Sequence, residues 1–147
     1  MFKTGDEAVR WIHSRKKFGS RPGLIRVNEL LKLCGHPEKN TIGIHIAGTN
    51  GKGSTVTYLR CLLEMQKLAV GTFTSPYIES FYERISINGK AISAEEFVQL
   101  ANEFRPLVDS MDEDTRYQGI TEFEILTAMA FSYFQKHADI AIFEAGI

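Results

Sequence analysis

Seven consecutive residues carry the chain's sharpest chemistry: Gly48-Thr49-Asn50-Gly51-Lys52-Gly53-Ser54. Glycines let a backbone curl until successive N–H groups point inward and can cradle phosphate oxygens. A helix beginning directly behind such a loop adds the positive end of its dipole. Lys52 is then placed to contact the β- and γ-phosphates of a nucleotide, and Ser54 to reach a phosphate oxygen or a magnesium ion. All seven residues are nucleotide-binding candidates, and Lys52 is also the catalytic candidate. A glycine-rich turn can simply join a strand to a helix. The added lysine and serine, in a strand–loop–helix setting, favour phosphate binding instead. The spacing departs from the common G-x-x-x-x-G-K-[ST]. Only two residues separate Gly48 from Gly51, and Gly53 stands between Lys52 and Ser54.

Such a loop needs a strand in front and a helix behind. Residues 42–47, IGIHIA, are short, β-branched and bounded by turn residues, which predicts a strand. Ser54 to Gln66 then reads as a helix with Val56, Leu59 and Leu63 in one apolar stripe. Residues 69–74 form a second strand, so this stretch is a βαβ unit with parallel strands. Asn88-Gly89 predicts a two-residue hairpin turn. Capping boxes at Ser93–Glu96 and Thr121–Glu124 open two further helices. The first turns Phe97, Leu100, Ala101, Phe104 and Leu107 inward, and residues 110–119 follow as a surface loop. The second runs to about Lys136 and buries Leu126, Met129, Ala130, Tyr133 and Phe134. Residues 139–144 are a third buried strand. Ahead of all this, 5–17 and 24–33 read as helices, with Gly35 as a left-handed cap. The fold class is α/β, a P-loop-type parallel sheet with flanking helices. Residues 1–40 are expected to form an N-terminal helical segment and 41–147 a partial nucleotide-binding domain.

Composition narrows the partners. The 147 residues hold 17 Lys and Arg against 18 Asp and Glu, a net charge of -1, so no electrostatic footprint for nucleic acid exists. No window approaches the roughly 18 apolar residues of a membrane span. The first residues lack the apolar core of a secretory signal. Cys34 and Cys61 fit neither a zinc cluster nor a C-x-x-C pair, and read as reduced thiols, most simply as small buried hydrophobes. His13, His36, His45 and His137 have no metal-ligand spacing. A cytoplasmic setting is expected.

The inserted glycine of GTNGKGS resembles the ATP loop of the Mur ligase superfamily, in its folate branch. Further segments resemble folylpolyglutamate synthase, including its bifunctional dihydrofolate synthase forms, and occur in family order. They are KFG-x-x-PGL-x-R at 17–26, FTSPY at 73–77, FYERI at 81–85, T-x-FE at 121–124 and DIAIFEAGI at 139–147. The resemblance implies an incomplete N-terminal ATPase domain of a Mur-ligase-like fold. It implies Ser75 and Glu144 as magnesium ligands, and Phe123 as a contact for the pterin ring. It also implies that residues 75–84 are a mobile loop forming part of the ATP and folate sites. That places Glu83 and Arg84 among the substrate-binding candidates. From residues alone, Ser75 is equally a turn serine, Glu144 a strand-end charge, Phe123 a core aromatic at a helix start, and Glu83 and Arg84 a structural ion pair. Tyr77, Tyr82 and Ala145 depart from the residues common at those positions.

The implied activity is ATP-dependent addition of L-glutamate to the γ-carboxyl of a reduced folate through an acyl phosphate. ATP and magnesium are the cofactors, and the full-length ligase is expected to be a monomer. The family's G-G-R-x-D-x-T-N run, further metal ligands and C-terminal glutamate-binding domain would lie beyond Ile147. The chain is therefore expected to hold ATP without completing the ligation. Two other readings stand beside this one. A cell-wall amino-acid ligase of the same superfamily is disfavoured by TSPY, FYERI and Gly53; a non-catalytic nucleotide-binding module is the other.

Overall fold

A computed structural model describes residues 1–145 and resolves two compact units. The Gly146–Ile147 end of the DIAIFEAGI match lies outside the described residues.

Unit 1 comprises Met1–Lys39 and Ala94–Ser132. Its helices are α1 (Gly5–Ser14), α2 (Ile25–Leu33), α4 (Ala94–Asp112) and the first part of α5 (Glu122–His137). The sequence reading divides the chain at residue 40, whereas residues 94–132 group with the N-terminal helices. Long-range polar contacts account for this. Arg15 meets Asp112 at 2.7 and 3.0 Å and donates to the Ile120 carbonyl at 3.0 Å. Arg26 is forked onto Glu124 at 2.9 and 3.1 Å. Helix α4 buries Phe97, Leu100, Ala101, Phe104, Val108 and Met111, the i, i+3/i+4 stripe of an amphipathic helix. That stripe carries the helix through Pro106 to Asp112, into residues expected to be loop. Val108 is buried and Leu107 only half-buried.

Unit 2 comprises Asn40–Ser93 and Tyr133–Ile147. Its strands are β1 (Gly43–Ile46), β2 (Val70–Phe73), β3 (Ile85–Ile87), β4 (Lys90–Ala91) and β5 (Ile140–Glu144), ordered β1-β5-β2-β3-β4. β5 is parallel to both β1 and β2, as the βαβ pattern requires. The Asn88-Gly89 hairpin forms with both residues at positive φ, 51° and 75°, as a type I′ turn demands. It does not stand apart: β3 pairs antiparallel with β2 and makes the sheet mixed. Helix α3 (Lys52–Met65) covers one face. Its Val56, Leu59 and Leu63 pack around Val70 and Ile142. Successive strand residues alternate faces, so Gly71 points the other way, where the Phe134 ring lies against it. A Cβ on Gly71 would fall 2.6 Å from that ring. Phe143 meets Phe134 edge-on with centroids 5.7 Å apart.

Candidate functional site

The sheet's register brings the candidate residues to one edge. Ile46 pairs with Glu144 and Phe73 with Phe143, so the carboxyl ends of β1, β2 and β5 are level. Gly48 follows β1, Ser75 follows β2, and Glu144 closes β5. Ligands of open α/β sheets bind beyond such an edge.

The loop after β1 is wound tightly enough that Gly48 and Gly51 take φ of 152° and 75°. Gly51 sits left-handed at the cap of α3, and no side chain caps that helix. The first N–H groups of α3 are thus left for a ligand. The helix starts at Lys52, two residues before the sequence expectation, because the glycine cap rather than Ser54 sets the turn. Lys52 Nζ donates to the Gly48 carbonyl at 2.7 Å and closes the loop on itself. Thr49, Asn50, Gly51, Gly53 and Ser54 are exposed. Burial raises the Glu144 carboxyl above its ordinary value, and the charge of Lys52 pulls the other way.

The 74–84 connection has an internal frame that the sequence reading missed. Ser75-Pro76 is a cis peptide. The Glu83 carboxylate accepts backbone N–H groups of Ile78 at 3.0 Å, Glu79 at 3.2 Å and Ser80 at 3.1 Å. Those N–H groups, that of Ile78 foremost, hold the Glu83 pKa below its ordinary value. Glu83 therefore braces the loop from within. The Arg84 carbonyl accepts from the Thr74 N–H at 3.1 Å, and its guanidinium lies 5.8 Å from the Phe81 ring centroid. A Ser-x-x-Glu pattern at 80–83, a capping box, was the legible signal.

A cavity of about 670 Å³ opens beside these elements. Ser54, Thr74, Pro76, Glu83 and Glu144 are among its lining residues. Phe123 belongs to unit 1, in the first turn of α5, and is 45% exposed. Its turn is fixed by the expected capping box: Thr121 Oγ1 accepts from the Glu124 N–H, and Glu124 accepts from the Thr121 N–H at 2.9 Å. The segments PGL-x-R and T-x-FE thus meet through Arg26 and Glu124.

Among the described residues no cluster of three His, Cys, Asp or Glu could hold a metal ion. Both cysteines are free, Cys34 half-buried and Cys61 exposed, so Cys61 is not the buried hydrophobe expected. No described helix is long and apolar enough to cross a membrane.

No family model matches the chain. The dihydrofolate synthase/folylpolyglutamate synthase of Bacillus subtilis is 51% identical over all of this chain, which covers 34% of that protein. The apo form of Lactobacillus casei folylpolyglutamate synthase superposes with a TM-score of 0.91 at 34% identity, over 99% of this chain and 36% of that one. A folylpolyglutamate synthase–AMPPCP–folate complex gives a TM-score of 0.87 at 35% identity, again over 99% and 36%. The chain spans about a third of the length of the relatives it matches.

Proposed function

We propose that this chain, which matches the N-terminal third of folylpolyglutamate synthases in sequence and fold, supplies the ATP-binding part of a folate:glutamate ligase. The observation that carries the reading is the loop after β1. It combines an uncapped helix N-terminus, a left-handed Gly51 and a lysine folded over the opening. Phosphate oxygens take the free N–H groups of residues 51–54, and Lys52 exchanges the Gly48 carbonyl for the β- and γ-phosphates. Nearby relatives bound to an ATP analogue and folate support the same assignment.

In the proposed reaction a folate γ-carboxylate oxygen attacks the γ-phosphorus and ADP leaves, giving an acyl phosphate. The glutamate amine then attacks the acyl carbon, phosphate departs and an amide forms. The chain contributes positioning and charge stabilisation to the first step. Magnesium would neutralise phosphate charge. Ser75 and Glu144 offer the hard oxygen donors it prefers, and so few protein ligands suit an ion held mainly by phosphates and water. The desolvated Glu144 carboxyl fits that role, since a nearby cation would favour its charged form. Phe123 is assigned to the pterin ring. Glu83 and Arg84 serve the substrate side by shaping the 75–84 loop. The setting is cytoplasmic, and the full-length ligase a monomer.

Calorimetry with Mg-ATP on this chain and on Lys52→Ala tests the reading. Loss of a charge-assisted phosphate contact should weaken binding about tenfold to a hundredfold. Equal heats and affinities for both proteins would remove Lys52 and the loop from the proposal.

A further inference from the structure

Helix α3 is apolar on two sides. Val56, Leu59 and Leu63 pack against the sheet. Tyr58, Cys61, Leu62 and Met65, spaced i, i+3, i+4 and i+7, form a second stripe about half a revolution away from them. Tyr58 is 74% exposed, Leu62 61% and Met65 76%, and Cys61 is exposed as well. A surface helix ordinarily carries charge on its outer side. Here the charged residues of α3 are engaged elsewhere. Lys52 donates to the Gly48 carbonyl. Arg60 Nη1 donates to Glu64 Oε1 at 2.7 Å, and its guanidinium lies so close to the hairpin turn that a Cβ on Gly89 would be 2.8 Å from Nη1. The exposed residues flanking the stripe, Ser54, Thr55 and Thr57, are uncharged. A contiguous apolar outer face of this kind marks a protein–protein contact.

We infer that this stripe docks a second copy of the chain, the two α3 helices packing antiparallel about a twofold axis between Cys61 and Leu62. The stripe is self-complementary in that arrangement. The axis lies midway between positions 58 and 65, so Tyr58 of each copy meets Met65 of the other, a favourable sulfur–aromatic contact. Leu62 faces Leu62 of the second copy on one side of the seam, and Cys61 faces Cys61 on the other. Antiparallel packing also opposes the two helix dipoles, and no like charges meet across the seam. Area sets the strength. The stripe exposes on the order of 400 Å² per copy, so the pair buries less than the roughly 1,200 Å² of the smallest standard interfaces. The dimer is therefore weak, with a dissociation constant above about 1 μM. The inference concerns this chain and stands apart from the ligase reading.

Sedimentation velocity on this chain, from micromolar to near-millimolar concentration, tests the pairing. A reversible rise from monomer to dimer is expected, with no larger species. Leu62→Glu sets two like charges together and should weaken association about tenfold or more. Ile42→Glu replaces an apolar residue that is 68% exposed beside the edge strand β1, and should leave association unchanged. Tyr58→Glu and Met65→Lys should each weaken the dimer, and the two together should recover it, because antiparallel packing joins those positions across the seam. A short bis-maleimide should link Cys61 to Cys61 of the second copy. Burial pushes the Cys34 thiol up to about 11, so it reacts far more slowly. Circular dichroism on each variant separates lost association from lost folding. The idea is overturned if the parent chain stays monomeric throughout, or if a folded Leu62→Glu chain associates as before. It is equally overturned if Ile42→Glu disperses the dimer as strongly, or if the Tyr58→Glu, Met65→Lys double variant does no better than its singles. None of these outcomes involves Mg-ATP binding, so failure here leaves the ligase reading standing.

Discussion

Arg26 and Glu124 offer the sharpest stability test, because both are nearly buried and each is committed to the other. Their side chains are 11% and 10% exposed. The Glu124 carboxylate accepts from Arg26 Nε at 3.1 Å, Arg26 Nη2 at 2.9 Å, the Thr121 N–H at 2.9 Å and Thr121 Oγ1 at 3.0 Å. Arg26→Ala strips away both charged donors and leaves a buried carboxylate held by two neutral ones. Uncompensated charges of this kind cost about 3–5 kcal/mol. A domain's whole stability is about 5–15 kcal/mol, so the effect should dominate unit 1. With a urea m-value of about 1–3 kcal/mol/M, the midpoint should fall by about 1 M or more. Trp11, the chain's one tryptophan, lies in unit 1 at 9% exposure and reports that unit's unfolding by fluorescence. Arg26→Met combined with Glu124→Leu removes both charges and should recover most of the loss, giving a coupling of about 2 kcal/mol or more. An Arg26→Ala cost below about 1 kcal/mol, with additive double-mutant energies, would refute the reasoning. The pair would then behave like an exposed one.

Two further substitutions probe unit 2. Gly71→Ala drives a methyl to 2.6 Å from the Phe134 ring, and overpacking should cost about 1–3 kcal/mol in urea unfolding. Adding Phe134→Leu should make the double variant less destabilised than the sum of the singles; strict additivity would show that the ring does not press on Gly71. Glu144 links stability to pH. Burial raises its carboxyl from the ordinary 4.5, against the pull of Lys52, so the folded chain prefers the protonated form. That preference stabilises the fold below the unfolded pKa and is lost as pH rises through the raised folded value. Glu144→Gln should therefore raise the urea midpoint at pH 7 without magnesium, flatten the pH dependence from about 4.5 upward, and weaken Mg-ATP binding. A lowered midpoint at pH 7 would reverse the sign of the argument.

What was legible in the sequence was set by local chemistry. Glycine spacing before a helix gave the loop, Asn88-Gly89 gave its turn, and Thr121 with Glu124 gave a cap, because each rests on residues within a few positions. The β-branched run at 42–47 marked a strand whose pairing put Glu144 level with Ile46. Features that depend on distant partners were not legible. Nothing near Arg26 indicates that its fork lies 98 residues away, and nothing near Arg15 indicates Asp112. Those contacts are what draw residues 94–132 into the N-terminal unit. The hairpin's place in the main sheet was hidden for the same reason, since β3 pairs with β2 across an intervening loop.

The candidate site divides along the same line, and the division bears on its function. Glu144 closes β5 level with the end of β1, and the loop carrying Lys52 leaves β1 at that same edge, so one register sets both beside it. The 75–84 loop has a different support: three backbone N–H groups gathered by Glu83, in a segment whose Tyr77 and Ile78 remain exposed. A rigid edge paired with a loop braced mainly by one carboxylate is an arrangement that can hold phosphate in fixed geometry while the loop adjusts to an acceptor. In the proposed reaction, charge on the phosphoryl group would develop at that edge, where preorganised donors act most strongly. On the proposed function, adjustment of the loop to an acceptor would cost the phosphate-binding geometry little.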